Sequence, residues 1–422
     1  MTQSQIAYRD AAAALPFDLE TAERILPAAR FCSREGLPRD RAPRLLSAMA
    51  GAPSLEQSLS GITYYLANAG MESEKLEGMF SLYSAAKPSR PLQVRGLIWT
   101  LRRLLLMQKR RGFKFTSAYA DEVWPRYIEC LAGATLINNF QLFGREFFRR
   151  RKHLDISACF YIDGTLAEYF EDYAEFDVAG IDPSTMTEAM KLEQDGYADA
   201  DRIVAMSHRT ALSLRERYGV APEKISVIPP AANLLDADIE SLAPKPFLEP
   251  DKEFVLGFVG LYPLRKGLDR LARAMQILRG RGLPIRLRVI GNCPDDLKRV
   301  EGLDYLGRID KKSQLDDFIK AISGLHLGCL LSRAELTGIA LLEFLRLGVP
   351  ILATDVGGGP DILSGGGGIL VSPNIGAEEL AEVLRELYED RVRYAKLRAE
   401  AASRKRWASW TRVAEELDLV LP

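Results

Sequence analysis

The sequence has little of what stabilises secreted proteins or anchors proteins in membranes. Its five cysteines stand singly among 422 residues with no CxxC pair, which argues against a disulfide framework or a zinc site and favours reduced, buried thiols. No apolar run approaches the roughly 20 residues that span a bilayer. The first residues also lack the basic start and apolar centre of a signal peptide. We therefore expect a soluble, cytoplasmic protein.

The sequence also lacks an excess of either charge. Its 56 basic and 57 acidic residues give a net charge of −1, so no general attraction to nucleic acid is expected. None of the three histidines has metal-ligand spacing. The acidic pairs Asp199/Asp201 and Asp316/Asp317 fit helix surfaces or ends. The sequence therefore predicts no nucleic-acid partner and no metal site.

What is abundant is apolar sequence in short runs, which alternate with helix-compatible segments. Such alternation favours an α/β fold with parallel sheets covered on both faces. A segment with three prolines and several acidic residues separates two such regions, so we place a domain boundary near 240. The predicted domains are an N-terminal helical extension over 1–42, Rossmann-like domains over 43–240 and 241–400, and a C-terminal helix over 401–422 that crosses back to the N-terminal domain.

The strongest chemical signal is a pair of carboxylates, Glu335 and Glu343, separated by seven residues across a predicted loop-to-helix junction. Gly338 permits close backbone approach, and the helix that follows directs free N–H groups and its positive end outward. Such a terminus suits a diphosphate, and the carboxylates can accept hydrogen bonds from sugar hydroxyls. The alternative is a solvated acidic loop with an ordinary helix-terminal charge.

A second cluster runs from Gly260 through Arg265 and Lys266 to Gly267, between the first strand of the C-terminal domain and a helix. Two adjacent cations there can neutralise a diphosphate leaving group without a metal. The alternative is that they are surface residues that favour solubility. Their position after a strand, where ligands bind in doubly wound sheets, supports the functional interpretation.

Further turns follow the later strands, at Gly291, at Gly307 and Arg308, and at 356–361. Taken in order with the clusters above, they resemble family-4-like retaining glycosyltransferases of the GT-B fold, over about residues 200–415. This resemblance implies two doubly wound Rossmann-like domains facing a central cleft. It also implies a bacterial enzyme with a Glu-x7-Glu motif, which transfers a sugar from a nucleotide-diphosphate sugar.

The resemblance also implies roles for individual residues. Arg265 and Lys266 would hold the donor diphosphate, Glu335 would contact the transferred sugar, and Glu343 would bind the ribose. The remaining expected donor contacts come from glycine-rich turns and from the start of one helix: Gly61, Gly260, Gly291, Gly307, Arg308, Thr337, Gly338 and Ile339.

The sequence departs from the family pattern at three places. Leu261 stands where many relatives carry an arginine, so Arg265 would have to replace that charge. The usual Gly-Phe-Gly after the first glutamate is here Leu336-Thr337-Gly338. In the N-terminal half, the usual double glycine of the loop facing the donor phosphate is reduced to Gly61.

Asp163 is the predicted acceptor-side residue. It follows an apolar strand where many relatives carry a histidine near the reacting centre, and a group of bacterial relatives has Asp-x-Thr there. The alternative is a helix cap, because Asp163 or Thr165 before the following helix fits an N-cap position.

The resemblance implies a metal-independent reaction without a cofactor, with a UDP- or GDP-sugar as co-substrate and a glycan, glycolipid or protein hydroxyl as acceptor. Polysaccharide, glycolipid or glycoprotein synthesis would be the setting. A nucleotide-sugar-binding regulatory protein without turnover, an epimerase and a phosphorylase remain alternatives. The nucleotide base, the sugar, the acceptor and the oligomeric state are not defined by the sequence.

Two stretches, 95–111 and 145–152, mix cations with bulky apolar residues. They predict contact with the inner face of an anionic membrane, near a lipid-linked acceptor. The alternative is an amphipathic helix that packs on the sheet and keeps its arginines in water.

Overall fold

The computed structural model describes most of the chain from residue 44 onward. The described ranges are 44–48, 61–76, 78–81, 90–106, 108–109, 112–124, 128–139, 142–176, 178–240, 253–311 and 313–422. The predicted N-terminal extension over 1–42 lies outside these ranges, as does the loop before Gly61.

The chain divides into two compact units, each built around one sheet. The described residues up to Ile228 and the final Val413–Pro422 form the N-terminal unit, and Pro229–Arg412 form the C-terminal unit. The sequence prediction placed these boundaries near 240 and 400. Ala232 and Leu234 are fully buried in the core of the C-terminal unit, because the chain joins that core well before the proline-rich segment.

Six parallel strands form the sheet of the N-terminal unit, in the order β2-β1-β3-β4-β5-β6. Their bounds are β1 Arg44–Ala48, β2 Gly78–Ser81, β3 Thr135–Asn138, β4 Ser157–Ile162, β5 Arg202–Ala205 and β6 Ile225–Val227. Between them lie α1 Ile62–Glu72, α2 Arg90–Leu105, α3 Ser117–Val123, α4 Arg145–Arg151, α5 Leu166–Asp172, α6 Pro183–Asp199 and α7 His208–Glu216.

Six parallel strands also form the sheet of the C-terminal unit, in the order β12-β11-β10-β7-β8-β9. Their bounds are β7 Phe254–Gly260, β8 Ile285–Gly291, β9 Leu303–Gly307, β10 Leu327–Leu330, β11 Ile351–Thr354 and β12 Gly368–Val371. The helices are α8 Asp236–Glu240, α9 Leu268–Gly280, α10 Leu315–Ser323, α11 Ile339–Arg346, α12 Gly359–Leu363, α13 Ala377–Glu389, α14 Arg391–Ser403 and α15 Trp410–Val420.

The predicted α/β class with two doubly wound sheets is confirmed. The central strands β7 and β10 consist of apolar residues and glycine because helices cover both faces of a parallel sheet. Sequence analysis missed β2, whose four residues form too short a run to stand out.

The end of α15 belongs to the N-terminal unit and is tied to it by charge. Asp418 pairs with Arg44 at the start of β1 and with Lys75, whose Nζ lies 2.8 Å from an Asp418 oxygen. Within the described ranges, no helix is both long and apolar enough to cross a bilayer.

Candidate functional site

The topology of the C-terminal unit defines where a ligand can bind. The chain runs outward from β7 through β8 to β9 and then returns to β10 on the other side of β7. In such sheets the crevice lies beyond the carboxyl ends of the two strands where the order reverses. Those strands are β7 and β10, which pair at Leu256–Leu327 and Gly257–Gly328. The loops that follow them carry the predicted cations and the first predicted carboxylate.

Arg265, Lys266 and Glu335 lie together, as their predicted shared role requires. Arg265 Nη1 is 3.5 Å and Lys266 Nζ is 3.6 Å from the same Glu335 Oε2. All three side chains are largely buried, with 8, 15 and 13% of their surfaces exposed. Two cations around one carboxylate leave a net positive charge in a poorly hydrated place. Such a cluster attracts an anionic ligand.

Hydrogen bonds between the two loops hold Arg265 in place. Arg265 Nη1 donates to the carbonyl oxygen of Ala334 at 2.5 Å, and the Arg333 amide donates to the Arg265 carbonyl oxygen at 2.7 Å. The Arg333 guanidinium also bonds both carboxylate oxygens of Asp269, at 2.9 and 2.8 Å. Sequence analysis missed Arg333, because nothing in its spacing reveals a partner 64 residues away.

Leu261, the residue that replaces the family's arginine, is 44% exposed in the loop after β7. The ring of Tyr262, itself 55% exposed, lies 5.2 Å from the Arg265 guanidinium. This loop therefore turns Arg265 inward and leaves Leu261 exposed. The geometry is compatible with Arg265 replacing the charge that Leu261 lacks.

Gly260 and Gly291 allow the ends of β7 and β8 to come close together. Gly291 has φ 117°, and a Cβ there would lie 2.0 Å from the Gly260 carbonyl oxygen. That oxygen accepts a 2.9 Å hydrogen bond from the Asn292 amide. The close packing of the strand ends accounts for both glycines, and their predicted contact with the donor stays a prediction.

The loop from Glu335 to Gly338 leads into α11. Gly338 is the N-cap residue with φ 84°, and no side chain caps this terminus. The Thr337 hydroxyl is buried and has no hydrogen-bond partner among the described residues. The Gly358 amide fixes the loop by donating to the Leu336 carbonyl oxygen at 2.8 Å. The loop is thus held rigidly while a hydroxyl and a helix terminus keep the capacity to bind a ligand.

Glu343 lies in the second turn of α11 and is 3% exposed. Lys311, which follows β9, donates to Glu343 Oε1, and its Nζ also lies 4.5 Å from the Phe318 ring. Sequence analysis missed Lys311, because it reads as one of two adjacent surface lysines. Lys311 holds the carboxylate that is predicted to bind a ribose.

The predicted base-side residues lie at the end of β9. Gly307 has φ 75°, and open space surrounds the position that a Cβ would take. Arg308 is exposed. Ile339 begins α11, the helix that follows β10. Strands β7 and β8 lie between β10 and β9 in the sheet.

In the N-terminal unit, Asp163 directly follows β4 and Thr165 takes the cap position. Thr165 and Glu168 form a reciprocal capping box at the start of α5. Of the two residues considered as the helix cap, Thr165 and not Asp163 takes that position. The Asp163 carbonyl oxygen accepts a 3.1 Å hydrogen bond from Thr210 Oγ1. Gly61 is the N-cap residue of α1, with φ 86°.

A buried carboxyl beside this junction was missed by sequence analysis. Glu193, on α6, accepts hydrogen bonds from the Leu166 amide at 3.0 and 2.9 Å and from the Tyr197 hydroxyl at 2.8 Å. Burial raises the pKa of Glu193 to about 7 despite these bonds. The sequence offered no signal for it, because its burial depends on how α6 packs against the end of β4.

The acidic pairs occupy structural positions. Asp199 and Asp201 both pair with Arg151, which is 5% exposed. Asp316 and Asp317 lie in the first turn of α10. Among the described residues, no group of three or more His, Cys, Asp or Glu side chains converges in a way that could hold a metal ion.

Comparison with known proteins agrees with the geometry of the C-terminal unit. Residues 240–406 match the family described as "Glycosyl transferases group 1". The chain is 32% identical over 244 residues to D-inositol 3-phosphate glycosyltransferase from Rhodococcus erythropolis, covering 53% of this chain and 54% of that protein. The corresponding protein of Corynebacterium aurimucosum is 26% identical over 56% of this chain and 61% of its own. The chain thus spans about half the length of the curated relatives that it matches.

Solved structures extend the likeness to the fold. Sucrose-phosphate synthase from Thermosynechococcus elongatus superposes with a TM-score of 0.58 at 17% identity, covering 90% of this chain and 98% of that one. The glycosyltransferase WaaG gives a TM-score of 0.58 at 14% identity, with 90 and 99% covered. The chain therefore has the GT-B fold, and its residues 240–406 are similar to group 1 glycosyl transferases.

Proposed function

We propose that this protein is a metal-independent, retaining glycosyltransferase that moves a sugar from a nucleotide-diphosphate sugar to a hydroxyl acceptor. The observation that carries the proposal is the convergence of Arg265 and Lys266 on one oxygen of Glu335. This cluster follows the two strands at which the sheet order reverses, where a nucleotide diphosphate binds in related topologies. Group 1 membership of residues 240–406 supports the same reaction class.

In the proposed reaction the acceptor oxygen bonds to the anomeric carbon while the bond from that carbon to the diphosphate oxygen breaks. The acceptor hydroxyl loses its proton to the departing phosphate oxygen, and the new bond keeps the configuration of the old one. Negative charge grows on the leaving diphosphate. Preorganised cations in a poorly hydrated site stabilise such charge strongly, which is the role we assign to Arg265 and Lys266.

The other predicted residues divide between the two substrates. On the donor side, Glu335 orients the sugar hydroxyls, Glu343 binds the ribose, and the Thr337 hydroxyl and the N-terminus of α11 bind phosphate or sugar oxygens. Gly307 and Arg308 face the base, and Gly61 faces the donor phosphate. On the acceptor side, Asp163 positions or polarises the hydroxyl without attacking.

The substrate classes follow from the same likeness. A UDP- or GDP-sugar is the proposed donor, without a further cofactor. The acceptor is a hydroxyl of a glycan, glycolipid or protein in bacterial polysaccharide, glycolipid or glycoprotein synthesis. D-inositol 3-phosphate is a further acceptor to test, because the curated relatives are named for this phosphorylated polyol.

The test is a transfer assay with UDP- and GDP-sugars, run against a panel of glycan, lipid-linked and polyol-phosphate acceptors with and without EDTA. We expect a glycosylated acceptor with one donor class, at the same rate in EDTA. The anomeric coupling constant of the product, measured by NMR, should match that of the donor. Inversion, or loss of activity in EDTA that Mg²⁺ restores, would overturn the corresponding part of the proposal.

Two other outcomes would replace the proposal. Donor binding detected by thermal shift, with neither transfer nor donor hydrolysis across the panel, identifies a nucleotide-sugar-binding regulatory protein. Epimerised donor, or cleavage of a glycan that depends on inorganic phosphate, identifies an epimerase or a phosphorylase.

A further inference from the structure

Helix α2 exposes an unusual amount of apolar surface for a helix of a globular unit. Six of its bulky apolar side chains are between 45 and 83% exposed: Val94, Leu97, Ile98, Leu101, Leu104 and Leu105. Since each helical residue advances by about 100°, this spacing places all six within an arc of about 120°. They form one continuous stripe, which we call the α2 stripe.

The opposite side of α2 packs on the N-terminal unit. The missing side chain of Gly96 accommodates the Phe113 ring, from which a Cβ at Gly96 would be 3.3 Å. The Trp99 ring lies 5.6 Å from the Phe113 ring, and the Arg103 guanidinium lies 3.3 Å from Asp182. A core-facing amphipathic helix buries its apolar stripe and exposes its charges. Helix α2 instead exposes its apolar stripe, so within the described part of the chain the α2 stripe does not contribute to the core.

The charges of α2 are of one sign. Its sixteen residues contain four arginines and neither aspartate nor glutamate. Arg95 and Arg102 are exposed and lie seven residues apart, so both flank the same edge of the α2 stripe. An apolar stripe bordered by cations is the pattern of a helix that lies in the interface of an anionic bilayer.

From this arrangement we infer that the α2 stripe docks the N-terminal unit on an anionic lipid surface, with its leucines among the acyl chains and Arg95 and Arg102 at the headgroups. A second copy of this chain fits the stripe less well. Self-complementary packing of α2 on α2 would bring arginines together with no acidic residue in the helix to pair them. The anionic headgroup supplies the opposite charge that a second copy lacks.

The other stretch predicted to contact a membrane, 145–152, does not share this arrangement. In helix α4, Phe147 is fully buried and Arg151 is 5% exposed between Asp199 and Asp201. Arg149, by contrast, is 68% exposed and pairs with Glu146. This stretch matches the alternative of a helix packed on its unit with its outer arginines in water. The lipid surface is therefore assigned to α2 alone.

The experiment is sedimentation of the full chain with vesicles of phosphatidylcholine, alone or mixed with phosphatidylglycerol. We expect the wild type to pellet with the mixed vesicles, and less so at high salt. Leu97→Gln with Leu101→Gln should lower the bound fraction about ten-fold, because two leucines no longer enter the acyl region. The matched control is Val392→Gln with Leu419→Gln, at positions 82 and 84% exposed on other helices, which should bind like wild type.

A second pair of substitutions separates charge from apolar contact. Arg95→Gln with Arg102→Gln should reduce the preference for phosphatidylglycerol, and unchanged melting temperatures would show that all variants are folded. Failure of the wild type to bind mixed vesicles, or equal binding by the leucine variant, would overturn the inference. A wild-type dimer in analytical ultracentrifugation that the leucine variant abolishes would overturn it too, because a second copy would then cover the stripe.

Discussion

The two units contain the same local arrangement, a strand end that leads through a short loop into a helix, and they complete it in opposite ways. After β4, the protein satisfies the start of α5 itself: Thr165 and Glu168 form the capping box, and Glu193 accepts from the Leu166 amide. After β10, Gly338 begins α11, and within the described part of the chain no side chain caps this helix and the buried Thr337 hydroxyl has no partner. We call the first junction saturated, because the protein's own side chains cap its helix. We call the second junction open, because its helix terminus and hydroxyl can still bind a ligand.

The same contrast holds for buried carboxyls. Glu335 lies within 3.6 Å of two cations. Glu193 instead accepts hydrogen bonds from an amide and from tyrosine hydroxyls, and the pKa of Glu193 is raised to about 7. Two cations thus surround the Glu335 carboxylate, whereas the burial of Glu193 favours its protonated form. We therefore expect substitutions of Lys266 and Glu335 in the C-terminal junction to affect turnover, and substitutions of the capping and buried residues Thr165, Glu168 and Glu193 in the N-terminal junction to affect stability.

The largest expected effect is the loss of transfer on Lys266→Ala or Glu335→Ala. Removing a preorganised charge from such a site typically costs about 10²–10³-fold in kcat. We expect a melting temperature close to that of wild type, because both groups serve the ligand. Lys396→Ala and Glu301→Ala, at side chains 77 and 90% exposed, are the matched controls. Near-normal turnover in either site variant would contradict the assignment of the C-terminal junction to catalysis.

The second prediction concerns the pH dependence of stability in the N-terminal unit. Because the pKa of Glu193 is raised to about 7, the folded chain holds a proton there that the unfolded chain releases above its ordinary carboxyl pKa of 4.5. Stability should therefore fall as the pH rises from about 4.5 to about 7, by about 3 kcal/mol in total, and then level off.

Glu193→Gln should remove this slope, because the amide keeps the hydrogen bonds but cannot titrate. The measurement is the melting temperature of wild type and variant between pH 5 and 8. Glu216→Gln, at an exposed position on α7, is the control and should keep the wild-type slope. A slope that survives in Glu193→Gln would show that another group, such as Glu168 with its raised pKa, dominates.

These regions also show what the sequence can and cannot predict. Apolar runs predicted the strands that carry the site, because a buried parallel strand must be apolar wherever it lies in the sheet. Arg265, Lys266 and Glu335 were assigned to one donor site by the family resemblance, which the position of the two cations after a strand supported. Their individual roles in catalysis remain predictions.

What could not be predicted depends on packing between distant segments. Lys311 reaches Glu343 across 32 residues, and the burial of Glu193 depends on how α6 packs. In α2 the spacing of leucines predicts an amphipathic helix but not which side faces the protein. That was decided by Gly96 and Trp99 packing on Phe113.

The smallest expected effect sharpens the comparison within the C-terminal unit, between two buried threonines. Thr337 Oγ1 has no partner in the ranges that the structure describes, whereas Thr354 Oγ1 donates to the Ser332 carbonyl oxygen at 2.7 Å. Thr337→Val should leave the ligand-free melting temperature unchanged or slightly higher and weaken donor binding about three- to ten-fold, the worth of one hydrogen bond. Thr354→Val should instead lower the melting temperature, because it leaves a buried carbonyl oxygen without its donor.

Calorimetric titration with the donor and melting curves without it separate the two threonines. If Thr337→Val melts as early as Thr354→Val and binds the donor normally, the Thr337 hydroxyl serves the fold. The contrast between a saturated and an open junction would then rest on the cations and the uncapped helix alone. If binding weakens at constant melting temperature, the open junction includes a side-chain donor that the N-terminal junction has already used in its own capping box.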